Sequence, residues 1–143
     1  MDLNFTMRPE NRALLDRVAE MVREEIMPLE AEYHAEIGKD DRWSYTARQA
    51  EILDGLKAKA KAAGLWNFWL TDSDSGYGLT TVEYAYLAEE TGRSHLAAEA
   101  FNCSAPDTGN MEVLERYGSD EQKREWLEPL LNAEISSAYA MSE

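Results

Sequence analysis

Residues 113 to 143 read VLERYGSDEQKREWLEPLLNAEISSAYAMSE, and the fold turns on how this run is divided. Tyr117 and Gly118 close one helix. Ser119, followed by Asp120, Glu121 and Gln122, opens the next with an S-x-x-Q capping box, in which the serine hydroxyl and the glutamine amide satisfy backbone N–H groups at the helix start. The spacing predicts a helix over Glu121 to Leu131, then a turn at Asn132, Ala133 and Glu134. Ile135 to Met141 change to small, β-branched and aromatic residues, which predicts a strand. A lone strand leaves its backbone groups unsatisfied, so this segment is expected to be weakly anchored, with Tyr139 and Met141 on an open edge.

Upstream the pattern is helical throughout. Leu15, Val18, Val22, Ile26, Leu29, Tyr33 and Ile37 recur every three or four residues behind Pro9, which predicts one long helix with a buried face. Pro28 lacks an N–H and crowds the carbonyl of Glu24, so a kink is expected there. Glu20, Glu24, Glu25, Glu30, Glu32 and Glu36 on the same helix read as a solvated face in preference to a cation site. Thr46 with Gln49 forms a second capping box, ahead of a helix burying Ile52, Leu53, Leu56, Ala60 and Ala63 and ended by Gly64. Lys57, Lys59 and Lys61 suit its negative C-terminal end.

Leu65 to Leu70 (LWNFWL) is a short apolar run, read as a plug between helices more readily than as a ligand-stacking surface. Asp72, Asp74 and Glu83 sit at calcium-loop positions, but Tyr77 occupies the position where that loop requires glycine, so a connector is the better reading. Thr80 with Glu83 caps a third helix, Val82 to Thr91. Ser94 opens a fourth, to about Asn102, and Ser104 to Gly109 break the chain before a fifth, Asn110 to Tyr117. His34 and His95 lack partners at metal spacing and read as surface residues. The expectation is an all-α bundle of about six helices that ends in the start of a β-strand. Its core is assigned to the Leu15 to Ile37 stripe, Leu53, Leu56, Trp66, Trp69, Leu87, Leu114, Leu127 and Leu130.

The 143 residues, 44% hydrophobic and 29% charged, suit one globular domain. The net charge of −14 opposes nucleic-acid phosphates and anionic lipid. No apolar run is long enough to span a bilayer, and the first ten residues carry no signal-peptide pattern. With a single cysteine, Cys103, which can form no internal disulfide, this suggests a cytoplasmic or similarly reducing location. No P-loop, no G-x-G-x-x-G and no nucleophile with a recognisable base occurs.

The closing run resembles the acyl-CoA dehydrogenase family of flavoenzymes, where the N-terminal helical domain hands over to a middle β-domain. The family pattern there is G-[ST]-x-E-Q-K, a helix ending L-x-x-L, an aromatic residue, one or two apolar residues, and T-E-P. Gly118, Ser119, Glu121, Gln122, Lys123, Leu127, Leu130, Tyr139, Met141, Ser142 and Glu143 stand at those places. Val22, Glu25, Ile26 and Pro28 resemble the family's first helix. Tyr77, Gly78 and Leu79 are similar to its Y-G-G-x-G-L segment with one glycine missing. Phe101 to Leu114 (FNCSAPDTGNMEVL) resembles the module that some proteins fuse to a kinase-like domain.

The resemblance implies residues 1–134 as the helical domain and 135–143 as the first strand of the middle domain. It implies FAD as cofactor, with Tyr139, Met141 and Ser142 against the flavin, the serine standing where threonine is usual. It implies that Ala105, Asp107 and Gly109 lie near the closed end of the acyl pocket, that acyl-CoA is the substrate, and that electron-transfer flavoprotein accepts the electrons. A dimer or tetramer is implied as well. The catalytic base is a glutamate of the family's C-terminal domain, and no glutamate here stands in that context, so this chain is expected to be an N-terminal portion, inactive alone. Two other readings stay open: an acyl-CoA oxidase or nitroalkane-oxidase-like flavoenzyme, and a non-catalytic acidic helical module that binds a partner through its apolar faces.

Overall fold

A computed structural model describes residues 5–39, 41, 43–70 and 76–141. Among these the chain is helical and carries no strand. The long rod predicted behind Pro9 is built in four pieces: α1 (Pro9–Met21), a π turn (Val22–Ile26), a 3-10 turn (Met27–Leu29) and α2 (Glu30–Ala35). The π turn answers the proline. Met27 donates its N–H to Val22 O, one residue further back than in an α-helix, and this widening relieves the pressure of the Pro28 ring on the preceding turn.

The same device recurs in the last rod, made of α7 (Asp120–Gln122), a π turn (Lys123–Leu127) and α8 (Glu128–Leu131). There Glu128, just ahead of Pro129, donates to Lys123 O. Between the rods lie α3 (Ala47–Ala62), α4 (Thr81–Thr91), α5 (Ala97–Ala100) and α6 (Asp107–Tyr117). The capping boxes at Thr46/Gln49, Thr80/Glu83 and Ser119/Gln122 all form.

Helix α3 stops where Gly64 takes φ +64°. Gly64 donates to Lys61 O and Leu65 to Ala60 O, so two terminal carbonyls are satisfied and Leu65 folds back onto the core. Gly118 is required for a different reason: a Cβ there would lie 2.5 Å from Leu114 O. Bulk at that position would press on the last turn of α6.

The rod from α1 packs on α4, α3 packs on α5, and α6 packs on the second π turn. Two apolar clusters result. The larger gathers Val18, Val22, Ile26, Ile52, Leu53, Leu56, Leu87 and Phe101. The smaller holds Trp69, Leu70, Met111, Leu127 and Leu130. The apolar run at 65–70 joins them: Phe68 stacks 5.3 Å from Phe101 in the first, while Trp69 enters the second.

Several expectations need correction. Ala63 is exposed, and so is Ile37, because α2 ends at Ala35 and the turn through Gly38, at φ +78°, abandons the helical period. Helix α5 is shorter than the stretch from Ser94 to Asn102, while α6 begins at Asp107, three residues before Asn110. Residues 135–141 form no ladder, for want of a second extended segment among the described residues. The three lysines of α3 act as ties between elements. Lys59 pairs with Glu25, Lys57 with Glu99, and Lys61 covers the Trp66 ring at 4.5 Å.

Candidate functional site

Helix α8 ends under a set of side-chain donors. Asn102 Nδ2 donates to Leu130 O at 3.0 Å and to Asn67 Oδ1 at 2.7 Å. Asn67 Nδ2 and Trp66 Nε1 both donate to Leu131 O, at 2.9 and 2.7 Å, and Lys61 Nζ reaches Asn132 O at 2.5 Å. The last carbonyls of a helix have no partner within it, and here four residues of other elements supply one. Asn67 and Asn102 both adopt positive φ, 56° and 55°, which asparagine tolerates better than most residues. Their position is over-determined, because Asn67 N donates to Phe101 O and Trp69 Nε1 donates to Asn102 O.

The chain leaving this end is caught again five residues after Asn132. Asp107 Oδ1 accepts the Ser137 backbone N–H at 2.6 Å and also the Ser137 hydroxyl. Asn110 Nδ2 donates to Ser137 Oγ at 2.8 Å and lies 3.5 Å from Ala138 O. Asp107 and Asn110 are one turn apart at the start of α6, so the helix start grips the outgoing chain. Weak anchoring after Asn132 is therefore not what the structure has at Ser137. It holds beyond that point: Tyr139 is 68% and Met141 76% exposed. The backbone N–H groups of Tyr139, Ala140 and Met141 meet no acceptor among the described residues.

The sequence-predicted site residues separate into three places. Asp107 faces Ser137, which precedes Tyr139 and Met141 along the chain. Gly109 lines a cleft of about 310 Å³ with Trp69, Thr81, Tyr84, Thr108, Glu112 and Arg116. Ala105 is exposed on the turn before α6. Ser142, with Asp72 and Asp74 of the rejected calcium loop, lies outside the described residues. Burial raises the Tyr84 hydroxyl at the cleft to about 12 and also pushes the Cys103 thiol up, so neither ionises near neutral pH.

The entry to α6 is braced from behind. Glu99 accepts Ser104 Oγ at 2.8 Å and pairs with Lys57. Burial alone would raise the Glu99 carboxyl, but these partners outweigh it and hold it below the usual range. Asn67, Asn102, Asn110 and Ser137 were not singled out by the sequence reading. An asparagine between Trp66 and Phe68 was a usable signal, since a polar residue inside an apolar run needs a buried partner.

The described residues include no group of three side chains able to hold a metal ion. His34 and His95 meet edge to face at 5.9 Å, both exposed. The glutamate face of the first rod is solvated and ion-paired, with Glu24, Glu25, Glu32 and Glu36 each matched to a lysine or arginine. No helix among the described residues is long and apolar enough to cross a membrane.

As a seat for FAD, the exposed Tyr139–Met141 segment offers an apolar surface and open backbone donors, which suit one edge of a flavin ring. An acidic chain is a poor match for the cofactor's diphosphate.

Comparison with known proteins bears on the whole of this architecture. Residues 8–134 match the family model described as acyl-CoA dehydrogenase, N-terminal domain. Acyl-CoA dehydrogenase family member 10 of Mus musculus is 47% identical over 142 residues, which are 96% of this chain and 13% of the mouse protein. Acyl-CoA dehydrogenase family member 11 of Gallus gallus is 45% identical over 143 residues, 97% of this chain and 18% of that protein. A solved structure from Mycobacterium abscessus, of a protein assigned as an acyl-CoA dehydrogenase, superposes with a TM-score of 0.80 at 47% identity, covering 96% of this chain and 35% of the other. The chain thus spans less than a fifth of these two animal relatives. With an all-helical fold, and with a family model matched over most of its length, this chain belongs to the acyl-CoA dehydrogenase family and corresponds to its N-terminal helical domain.

Proposed function

We propose that this chain is the helical part of an FAD-dependent acyl-CoA dehydrogenase, in which the entry to α6 borders the acyl pocket and residues 139–142 flank the flavin. One observation carries the reading. Segments that the resemblance allots to the acyl pocket (Ala105, Asp107, Gly109) and to the flavin rim (Tyr139, Met141, Ser142) lie some 30 residues apart in sequence, and the Asp107–Ser137 hydrogen bonds tie them together. A dehydrogenase needs them adjacent, because the thioester's α and β carbons must sit against the ring that takes the hydride.

In this reading FAD, when bound, supplies the hydride acceptor. The chain's own share is to shape and to exclude: Tyr139 and Met141 cover one edge of the ring, Ser142 donates a hydrogen bond to it, and the cleft at Gly109, Trp69 and Tyr84 takes the end of the acyl chain. The base that removes the α-proton belongs to a further domain, as do the cationic groups for the phosphates. Electron-transfer flavoprotein as acceptor, a dimeric or tetrameric assembly, and a cytoplasmic setting complete the proposal.

The test is expression of the reading frame to its end, beside the 143 residues alone. The longer protein should purify with FAD and bleach on mixing with an acyl-CoA, and the short one should do neither. Ser142→Ala should slow the bleaching by an amount equivalent to about 1 to 3 kcal/mol, the worth of a hydrogen bond to a group gaining charge. A longer protein that binds no flavin would remove the reading. Consumption of oxygen at the same rate as acyl-CoA would replace dehydrogenase by oxidase.

A further inference from the structure

We propose that Asp107 and Asn110 form a register pin for the flavin-flanking segment, and that Asp107 is a positioning residue and no part of the acyl-pocket wall. The inference rests on the function proposed above and deepens it. Its basis is the alternation Ser137, Ala138, Tyr139, Ala140, Met141. In an extended chain successive side chains point to opposite sides, so Ser137, Tyr139 and Met141 share one side while two alanines share the other. A slip of one residue would exchange the sides and turn Tyr139 and Met141 away from whatever they cover.

Something must fix which side is which, and neither alanine can. Ser137 is the residue that the rest of the fold grips. Asp107 Oδ1 takes both its N–H and its hydroxyl, and Asn110 Nδ2 donates to the same hydroxyl oxygen at 2.8 Å. Ser136 carries the same two groups, so the choice of Ser137 is set by the chain before it: Ala133 donates to Leu130 O and Glu134 to Pro129 O, which leaves two residues between that anchor and the grip. The grip is itself fixed. Asp107 is the first residue of α6, Glu99 holds the preceding turn through Ser104, and the α8 end is locked by Asn67 and Asn102. Chain without such a tie between α8 and Ser137 is thereby limited to Ile135 and Ser136. Asp107 Oδ1 is committed to Ser137. A charged wall there would also oppose an apolar ligand.

The experiment uses the protein expressed to the end of its reading frame, with bound FAD measured by its absorption spectrum and by titration. Asp107→Ala should weaken flavin affinity roughly tenfold or more and alter the vibronic shape of the flavin band, the effect of losing a charge-assisted contact. Asp107→Asn, whose amide oxygen still accepts, should restore most of both. Ser137→Ala, which keeps the N–H and loses the hydroxyl, should fall between them, and it serves if Asp107→Ala does not fold. Unchanged flavin affinity and spectrum in Asp107→Ala or Ser137→Ala, with a rise in KM that grows with acyl length, would overturn the pin and make Asp107 a pocket wall. Wild-type protein without flavin would instead remove the proposed function, and the pin with it.

Discussion

The two ends of this chain are tied down by carboxylates in opposite ways. At the N-terminal end Glu83, 1% exposed, accepts five hydrogen bonds: from Arg8 N, Arg8 Nε and Asn11 Nδ2 on one oxygen, and from Arg8 Nη2 and Thr80 N on the other. Both carboxylate oxygens are used, and Met7, the residue before Arg8, is buried. At the C-terminal end Asp107 is half-buried, holds one residue, and beyond that residue apolar side chains stand in solvent. The first carboxylate closes a core. The second presents a segment, and it is at this end that the proposed flavin-flanking residues lie.

Breaking the first tie should have the largest effect on stability. Glu83→Ala removes an N-terminal cap of α4 together with a buried charge pair, an expected loss of about 3 kcal/mol, toward the low end for buried pairs because Arg8 can turn to water. Urea unfolding by circular dichroism measures it. Arg8 is the first cause holding the Glu83 carboxyl far below the usual range. A depressed folded-state value means that the stabilisation is complete above the unfolded value, about 4.3, and fades as pH falls below it toward the folded value. Glu83→Gln should accordingly flatten the acid limb of the stability profile, and an unchanged limb would assign acid sensitivity to other groups.

Next in size is Asn102→Ala. It strips a donor from Leu130 O and Asn67 Oδ1 and leaves a residue with a Cβ at positive φ, for an expected loss of about 2 to 3 kcal/mol. The loss should be accompanied by faster exchange of the α8 amides. Asp107→Ala should cost the fold only about 1 kcal/mol, since its carboxylate is half-exposed and water can replace it. A loss as large as that of Glu83→Ala would erase the distinction between the two ends.

Which parts could be read in the sequence follows from range. The three capping boxes are contained within four residues each, and all were legible. So was the break at Pro28, because a proline acts on its own preceding turn; the equal break at Pro129 obeys the same rule but had not been drawn. The resemblance located Asp107, yet its implied task as pocket lining came without geometry. Ties across long separations left no local trace. Nothing near Arg8 announces a partner 75 residues away, and Asn67 and Asn102 show their purpose only when the α8 carbonyls arrive beside them.

The comparison is tested most directly by hydrogen exchange on the protein expressed to the end of its reading frame, with and without FAD. The Ser137 amide, bound to Asp107, should exchange slowly in both states. The amides of Tyr139, Ala140 and Met141 should exchange fast without FAD and become protected with it. Exchange at Ser137 as fast as at Tyr139, or protection of 139–141 that FAD does not change, would contradict the account.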